Sequence, residues 1–170
     1  MAILIAYYSR AGENYFGGSY RRIPVGNTRR VAEQLASLTG GDLLELRQAH
    51  PYSDDYRTCV AQARADWQQS VRPELLGLPK DLSGYDRIYL GYPNYCGTMP
   101  MAVYTFLEHY DFTGKVICPF CTHEGSGMSG TEGKIAQTCP GATVCKGLAI
   151  HGSHVDEAAP ALTRWVKEMQ

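Results

Sequence analysis

Three separated segments of this sequence carry residue types that bind and orient small ligands, namely residues 9–28, 93–98 and 122–127. Each segment follows an apolar run of the kind that forms a buried strand. In an open α/β sheet the carboxyl ends of parallel strands meet at one edge, and ligands bind in the crevice beyond it. The three segments are therefore predicted to lie together at the carboxyl edge of one sheet.

The first segment is suited to a phosphate group. Gly26-Asn27-Thr28 stands at the start of a helical pattern, where free N–H groups and the helix dipole favour an anion. Ser9 and Thr28 add hydroxyl donors, and Asn27 adds an amide. Capping of the helix by Asn27 or Thr28 alone would use the same residues, so both interpretations stay open. The sequence after the first strand contains neither G-x-G-x-x-G nor G-x-x-x-x-G-K-[ST], which argues against a dinucleotide or nucleoside triphosphate site.

The second segment offers a flat aromatic surface. Tyr95 supplies the ring, and Gly97 permits a ligand to approach the backbone closely or the chain to adopt a positive φ. An ordinary turn between a strand and a helix, with Tyr95 packed on its neighbours, would fit the same residues. Loops on a rigid scaffold often carry function, so the segment is kept as a candidate for ligand binding.

Composition narrows the class of protein. A chain of 170 residues is suited to one domain, residues 1–170. A formal net charge of -1 provides no basic surface for nucleic acid. No apolar run reaches the ~20 residues that cross a bilayer. Residues 1–6 enter the first strand directly and lack the charged start and cleavage site of a signal peptide, which predicts a cytoplasmic protein.

The cysteines are predicted to be structural. Six are present, and Cys118 and Cys121 form a C-x-x-C pattern inside an apolar run that is typical of a strand. Side chains three residues apart in a strand face opposite sides of the sheet, so these two are expected to be separately buried thiols. No second Cys or His pair stands at the spacing of zinc ligands, so no metal site is predicted.

Strand and helix patterns alternate along the chain. Apolar runs predict five strands, at residues 2–8, 43–46, 87–91, 115–121 and 143–150. Helical spacing predicts helices at residues 29–38, 56–72, 102–109, 131–138 and at the carboxyl terminus. This alternation predicts a three-layer, doubly wound α/β fold with a five-stranded parallel sheet.

Some local features are predicted in more detail. Residues 13–25 show no helical or strand period, and they contain Gly17-Gly18. Asp156 or Ser153 is expected to cap the last helix. The second helix is expected to bury one apolar face, formed by Tyr56, Val60, Ala63 and Trp67.

On these residues the chain resembles the short-chain flavodoxin-like proteins over nearly its whole length. Their phosphate loop has the form Ser/Thr-x-Thr-Gly-Asn-Thr, which Ser9-Arg10 and Gly26-Asn27-Thr28 match with an interruption. Their second loop has the form Gly-Tyr-Pro-x-Trp-x-Gly, which residues 91–97 resemble. Residues 122–127 are similar to the segment that borders the flavin ring. The order of these motifs on a five-strand pattern is more specific than any one of them.

The resemblance implies a sheet of order 2-1-3-4-5 and noncovalently bound FMN. The phosphate would lie on the first segment, and the isoalloxazine would lie between the second and third with Tyr95 on one face. Gly97 would permit the peptide rearrangement that accompanies protonation of flavin N5 in the family. The residues implied to contact FMN are Ser9, Arg10, Gly26, Asn27, Thr28, Pro93, Asn94, Tyr95, Cys96, Gly97, Thr122, His123, Glu124, Gly125, Ser126 and Gly127.

The chain departs from the family pattern in the first and third segments. Residues 11–25 split the phosphate loop. They form either a flap that covers the flavin or lines a substrate pocket, or a surface excursion without a role. The third segment lacks a Tyr or Trp for the outer face of the ring, although His123 could partly cover it. We predict that Tyr15, Phe16 or Tyr20 stacks there instead.

The second loop departs from the pattern at one position. Cys96 stands where relatives often carry a second aromatic residue. Its thiol either contacts the edge of the ring or packs among its neighbours.

Three functions fit these features. The first is an electron carrier that docks on redox partner proteins, although such carriers are typically strongly acidic and this chain is nearly neutral. The second is an FMN-dependent NAD(P)H:quinone-type reductase acting on a small acceptor. The third is a binding module that has lost its flavin, for which the interrupted phosphate loop is the support.

Overall fold

The computed structural model describes residues 2–170. The elements follow in the order β1 (Ile3–Tyr7), β2 (Gly12–Phe16), β3 (Ser19–Ile23), α1 (Asn27–Thr39), β4 (Asp42–Glu45), β5 (Arg47–Gln48), α2 (Tyr56–Gln68), β6 (Leu75–Leu76), β7 (Arg87–Pro93), α3 (Met101–His109), β8 (Val116–His123), α4 (Thr131–Thr138), β9 (Thr143–Val144), β10 (Leu148–His151), a 3₁₀ helix (Gly152–Glu157) and α5 (Ala159–Met169). The main sheet is parallel, in the order β10-β8-β7-β1-β4. Numbered as the five predicted strands, this is the order 2-1-3-4-5, and the predicted fold class is confirmed.

The helices cover both faces of the sheet. Helices α1 and α5 contact each other on one face, while α2 contacts α3 and α3 contacts α4 on the other. Strand β1 is consequently buried on both sides, with Leu4, Ile5 and Ala6 at most 2% exposed, which explains its unbroken apolar sequence. The longest helices have 13 residues, and within residues 2–170 no helix is long and apolar enough to cross a membrane.

The fifth strand is broken, whereas the sequence pattern predicts one strand over residues 143–150. Strand β9 pairs with β8 up to Val144, and pairing resumes with Leu148 opposite Phe120. Pro119 of β8 lies between these two registers. Because proline has no N–H to donate to the ladder, the pairing is interrupted opposite it.

Residues 12–23 form an antiparallel hairpin, although residues 13–25 show no helical or strand period in the sequence. Strands β2 and β3 pair from Gly12 with Ile23 to Phe16 with Ser19. The turn is Gly17-Gly18, both with positive φ. The strands show no period because most of their side chains are at least partly exposed, so neither face has to be apolar. In the sequence, the Gly17-Gly18 pair between aromatic residues was the one signal that could have predicted the hairpin turn.

Helix α2 is shorter than predicted, ending at Gln68 instead of Arg72. Its fully buried residues are Cys59 and Ala63, and Trp67 is 46% exposed instead of belonging to the core. At about 100° per residue, Trp67 lies about 60° away from the centre of the buried stripe.

The last helix is not capped as predicted. Helix α5 begins at Ala159 after Ala158, with no side-chain cap. Asp156 instead pairs with Arg30 of α1 at 2.8 Å. The Ser153 hydroxyl lies 2.8 Å from Nδ1 of His151. Asp156 therefore connects the 3₁₀ helix to α1, and Ser153 connects it to the end of β10.

The prediction for the C-x-x-C cysteines is confirmed. Cys118 and Cys121 are at most 1% exposed, and they belong to the cores on opposite faces of the sheet. Burial raises the pKa of each thiol to about 12. Both are therefore protonated and unreactive at neutral pH.

Candidate functional site

The carboxyl ends of β1 and β8 are connected at the start of α1. The hydroxyl of Ser9, just after β1, accepts a hydrogen bond from the backbone N–H of Arg29 at 3.1 Å. The hydroxyls of Thr28 in α1 and Thr122 in β8 lie 2.8 Å apart and are buried. The contact between Thr28 and Thr122 joins the first and third predicted segments at the amino terminus of a helix, and the contact of Ser9 holds the end of β1 there.

The loop after β7 is joined to the loop after β8 by one amide. The side-chain N–H group of Asn94 donates to the carbonyl of Gly127 at 2.9 Å and to the hydroxyl of Ser129 at 2.8 Å. Its side-chain oxygen accepts from the N–H of Gly97 at 3.1 Å. Asn94 therefore positions both loops.

A tight turn forms the tip of the loop after β7. Tyr95 and Thr98 exchange two backbone hydrogen bonds of 2.9 Å. The two central residues, Cys96 and Gly97, have φ values of 54° and 75°. Glycine adopts such a conformation readily, as anticipated for Gly97, whereas Cys96 adopts it at some cost.

These loops surround a cavity of about 280 Å³ at the carboxyl edge of the sheet. Its wall includes most of the residues that the sequence predicts for the site. The predicted residues that line it are Arg10, Asn27, Thr28, Pro93, Asn94, Tyr95, Cys96, Thr122, His123, Glu124 and Ser126. The other predicted residues, outside the lining but beside it in the chain, are Ser9, Gly26, Gly97, Gly125 and Gly127.

Gly26 permits the close approach of two chain segments at one end of the cavity. A Cβ at this position would overlap the hydroxyl oxygen of Ser9 and lie 2.7 Å from the carbonyl oxygen of Arg10. The φ of Gly26 is -65°, so the requirement is steric and not conformational. Because of this contact, α1 starts directly against the end of β1, and its first N–H groups lack partners within the helix.

Arg10 has a structural role that the sequence did not indicate. All three guanidinium nitrogens donate to backbone carbonyls, to Glu13 at 3.0 Å, Ser53 at 2.9 Å and Asp54 at 2.8 Å. The charge of Arg10 thus holds the loop before α2 against the hairpin. Its guanidinium is engaged by these three carbonyl groups, while the residue also lines the cavity.

The hairpin of residues 12–23 is anchored at both ends and forms one wall of the cavity. Near its base, the carboxylate of Glu13 accepts from the backbone N–H of Tyr56 at 2.7 Å. At its tip, the N–H of Gly17 donates to the carboxylate of Glu124 at 3.4 Å. Of the three hairpin aromatics considered, Tyr15 lines the cavity, whereas Phe16 and Tyr20 are not among its lining residues.

Two buried polar atoms of the cavity wall lack hydrogen-bond partners within residues 2–170. They are the hydroxyl oxygen of Tyr95 and Oε1 of Glu124. Burial raises the pKa of Tyr95 well above its usual value, so this hydroxyl stays protonated. An unpaired buried polar atom is costly, and a bound ligand or water commonly supplies the missing partner.

His123 is neutral at physiological pH. Burial, together with the neighbouring His151 ring at 5.5 Å, lowers its pKa. Its Nδ1 accepts from the N–H of Gly125 at 2.9 Å, which places the proton on Nε2. His123 thus offers one hydrogen-bond donor and no charge. Among the residues that the structure describes, no group of three or more His, Cys, Asp and Glu side chains could hold a metal ion.

Sequence reasoning missed one side of the cavity. Asn14 and the first three turns of α2 contribute to the wall, the latter through Tyr56, Cys59, Val60, Ala63 and Arg64. The apolar spacing in α2 was visible in the sequence. It predicted a core face, and no local signal distinguished residues that pack on the sheet from residues that face a cavity.

Cys96 is the one cysteine predicted to react rapidly with iodoacetamide. It is exposed and lines the cavity, whereas Cys59, Cys118, Cys121 and Cys139 are buried. At pH 8 a thiol of pKa about 12 is about 0.01% ionised. We expect saturating FMN to slow alkylation of Cys96 about fivefold or more, measured by peptide mass spectrometry. The half-buried Cys145, away from the cavity, is the control, and equal slowing of both would contradict the prediction.

The chain matches a known protein family over nearly its whole length. A family model described as Flavodoxin matches residues 3–169. A search of curated proteins finds no match. A Bacteroides uniformis protein, provisionally described as a flavoprotein, is 27% identical and superposes with a TM-score of 0.77, covering 98% of this chain and 97% of that one.

Two further solved structures share the fold. The flavoprotein of Lactobacillus acidophilus in complex with FMN is 23% identical, with a TM-score of 0.65 over 92% of this chain and 97% of that one. The flavodoxin of Fusobacterium nucleatum bound to flavin mononucleotide is 14% identical, with a TM-score of 0.55 over 99% of this chain and 97% of that one.

Proposed function

This chain belongs to the flavodoxin family, and from that premise we propose that it binds FMN noncovalently and acts as a redox protein. One observation carries the proposal. Three loops that are distant in sequence, with the hairpin, enclose a single cavity of about 280 Å³ that begins at the amino terminus of α1. When bound, FMN supplies the electron chemistry, and the protein supplies binding, orientation and electrostatics.

The α1 end of the cavity suits the phosphate. Asn27 and Thr28 line this end, and the first N–H groups of a helix attract an anion. Ser9 braces the same turn through its bond to Arg29. Because the guanidinium of Arg10 donates its hydrogen bonds to backbone carbonyls, the phosphate is bound chiefly by backbone N–H groups and hydroxyls.

The wall between the second and third loops suits the ribityl chain and the ring. Tyr95 and Tyr15 provide aromatic surfaces for the ring. Glu124 can accept hydrogen bonds from ribityl hydroxyls through its unpartnered Oε1, and His123 can donate from Nε2.

We infer a reductase in preference to an electron carrier. The cavity extends to the α2 wall, beyond the loops to which the flavin is assigned, and this wall is the side from which a small acceptor would reach the ring. The net charge of -1 provides little electrostatic steering toward a partner protein. In the proposed reaction, NAD(P)H gives a hydride and water gives a proton, so that a quinone gains two electrons and two protons.

Titration calorimetry tests the cofactor. We expect one FMN per chain with a Kd of about 1 μM or lower, which corresponds to about -8 kcal/mol. The FMN-loaded protein is then mixed anaerobically with NADPH or NADH. Bleaching of the flavin absorbance, reversed by a quinone, is expected for a reductase. No bleaching, with photoreduction in two resolved one-electron steps, would favour the carrier.

Tyr15 is expected to cover the outer face of the flavin. Tyr15→Ala should weaken FMN binding about fivefold and reduce the quenching of flavin fluorescence, because a stacking contact is worth about 1 kcal/mol. Phe16→Ala, one residue away and outside the cavity lining, is the matched control. Deletion of residues 11–25 should reproduce the Tyr15 effect or exceed it. Unchanged affinity and quenching in both the Tyr15 variant and the deletion would disprove this role.

A further inference from the structure

The wall of the cavity that α2 forms differs in composition from the end of the cavity at the amino terminus of α1. Tyr56, Val60 and Arg64 line it at four-residue intervals along α2, so that they form one stripe. The stripe thus combines an aromatic ring, an aliphatic side chain and a cation. Tyr15 lines the same cavity from the hairpin, braced by Tyr20 at 5.9 Å between ring centroids.

The two ends of the cavity belong to opposite faces of the sheet. Helix α1 connects β1 to β4, and α2 returns from β4 across β1 to β7. Right-handed connections that run in opposite directions place their helices on opposite faces. The start of α1 and the stripe on α2 are therefore on opposite sides of the sheet, and the stripe borders the end of the cavity away from a phosphate at α1.

Arg64 carries a charge that the rest of the chain does not neutralise. Several exposed arginines are paired, such as Arg29 with Glu33 and Arg72 with Glu108, both at 2.8 Å. Within residues 2–170, Arg64 forms no ion pair. Glu124, the one carboxylate among the lining residues, belongs to the loop after β8 and not to α2.

Arg57 adds to the same charge. It lies about two turns before Arg64 in α2, and its guanidinium lies over the ring of Tyr20, 5.7 Å from the ring centroid. The side chains of Arg57 and Arg64 are both exposed. The α2 side of the cavity is thus apolar at its wall and positive at its rim.

We propose that the stripe on α2 is the acceptor site of the reductase and selects flat aromatic compounds that carry an anionic group, with Arg64 as the specificity-determining residue. The ring of the acceptor lies against Tyr56 and Val60, and its sulfonate or carboxylate lies at Arg64. A guanidinium forms charge-assisted, paired hydrogen bonds with such oxyanions. This inference rests on the proposed function, since it places the acceptor beside the proposed FMN.

A pair of unreactive ligands tests the inference without turnover. Naphthalene-2-sulfonate and naphthalene-2-sulfonamide have nearly the same shape, and only the first is charged at pH 7. Binding of each to the FMN-loaded protein is measured by titration calorimetry. We expect the sulfonate to bind about fivefold more tightly than the sulfonamide, the magnitude of a partly exposed ion pair.

Two variants separate the charge from the apolar surface. Arg64→Gln should remove the preference for the sulfonate and leave the sulfonamide unaffected. Val60→Gln should weaken both ligands to a similar extent. Arg164→Gln, an exposed arginine of α5 on the opposite face of the sheet, should change neither. Equal binding of the two ligands to the unaltered protein, or an unchanged preference in Arg64→Gln, would overturn the proposal.

The same titrations distinguish this inference from the proposed function. If FMN fails to bind, the proposed function fails, whatever the naphthalene ligands do. If FMN binds and the sulfonate preference is absent or independent of Arg64, the acceptor site alone is refuted. Thermal unfolding of each variant establishes that the exposed substitutions leave the fold intact.

Discussion

Replacing Gly26 by alanine is expected to weaken FMN binding about 50-fold. The added Cβ would overlap the Ser9 hydroxyl and lie 2.7 Å from the carbonyl oxygen of Arg10, so the start of α1 must move away from the end of β1. Overlap of this kind costs about 1–3 kcal/mol, and displacement of the helix amino terminus removes about 1 kcal/mol of anion binding. Titration calorimetry with FMN measures the loss directly.

A glycine in open surroundings provides the control for this result. Gly133, inside α4, has no atom within 4 Å of an added Cβ. Gly133→Ala should leave the FMN affinity within about twofold of the original and slightly stabilise the helix. Wild-type affinity in Gly26→Ala, with an unchanged melting temperature, would show that the phosphate lies elsewhere.

Gly91→Ala is expected to lower the free energy of unfolding by about 3 kcal/mol. Gly91 lies in β7 directly opposite Phe120 of β8, and a Cβ would overlap the Phe120 ring, which is fully buried. A close-packed interior between two central strands cannot absorb a methyl group without shifting backbone or ring. Chemical denaturation measures the change.

The matched variant for Gly91 is Gly84→Ala. An added Cβ at Gly84 meets no atom within 4 Å, so its unfolding free energy should change by less than about 0.5 kcal/mol. Equal stability of the two variants would refute the packing account. The result also bears on the sequence motif, because it assigns the first glycine of residues 91–97 to packing instead of flavin contact.

The sequence predicted the sheet well because its strongest signals are local. The apolar run of β1 and the helical spacing in α1, ended by Gly40 with a φ of 73°, leave few alternatives. The order of strands followed from the resemblance to a known family. The break opposite Pro119 was not predicted, because it depends on which residue of a neighbouring strand faces the proline.

The candidate site was predicted in part. The loops after β1, β7 and β8 could be placed at one edge because parallel strands share a direction. The role of Arg10 could not be predicted, since its partners, the carbonyls of Ser53 and Asp54, are more than 40 residues away. The contribution of α2 was missed for a related reason: an apolar stripe has the same spacing whether it faces a core or a cavity.

The single flavin site is tested most directly by adding FMN to the isotopically labelled protein and recording its backbone amide spectrum by NMR. We predict that amide signals from Asn27 and Thr28, from residues 94–98 and from residues 122–127 shift together and saturate at one equivalent of FMN. The signal of Tyr15 should shift with them. No shifts, or shifts confined to one of the loops, would contradict the claim that these segments form a single flavin site.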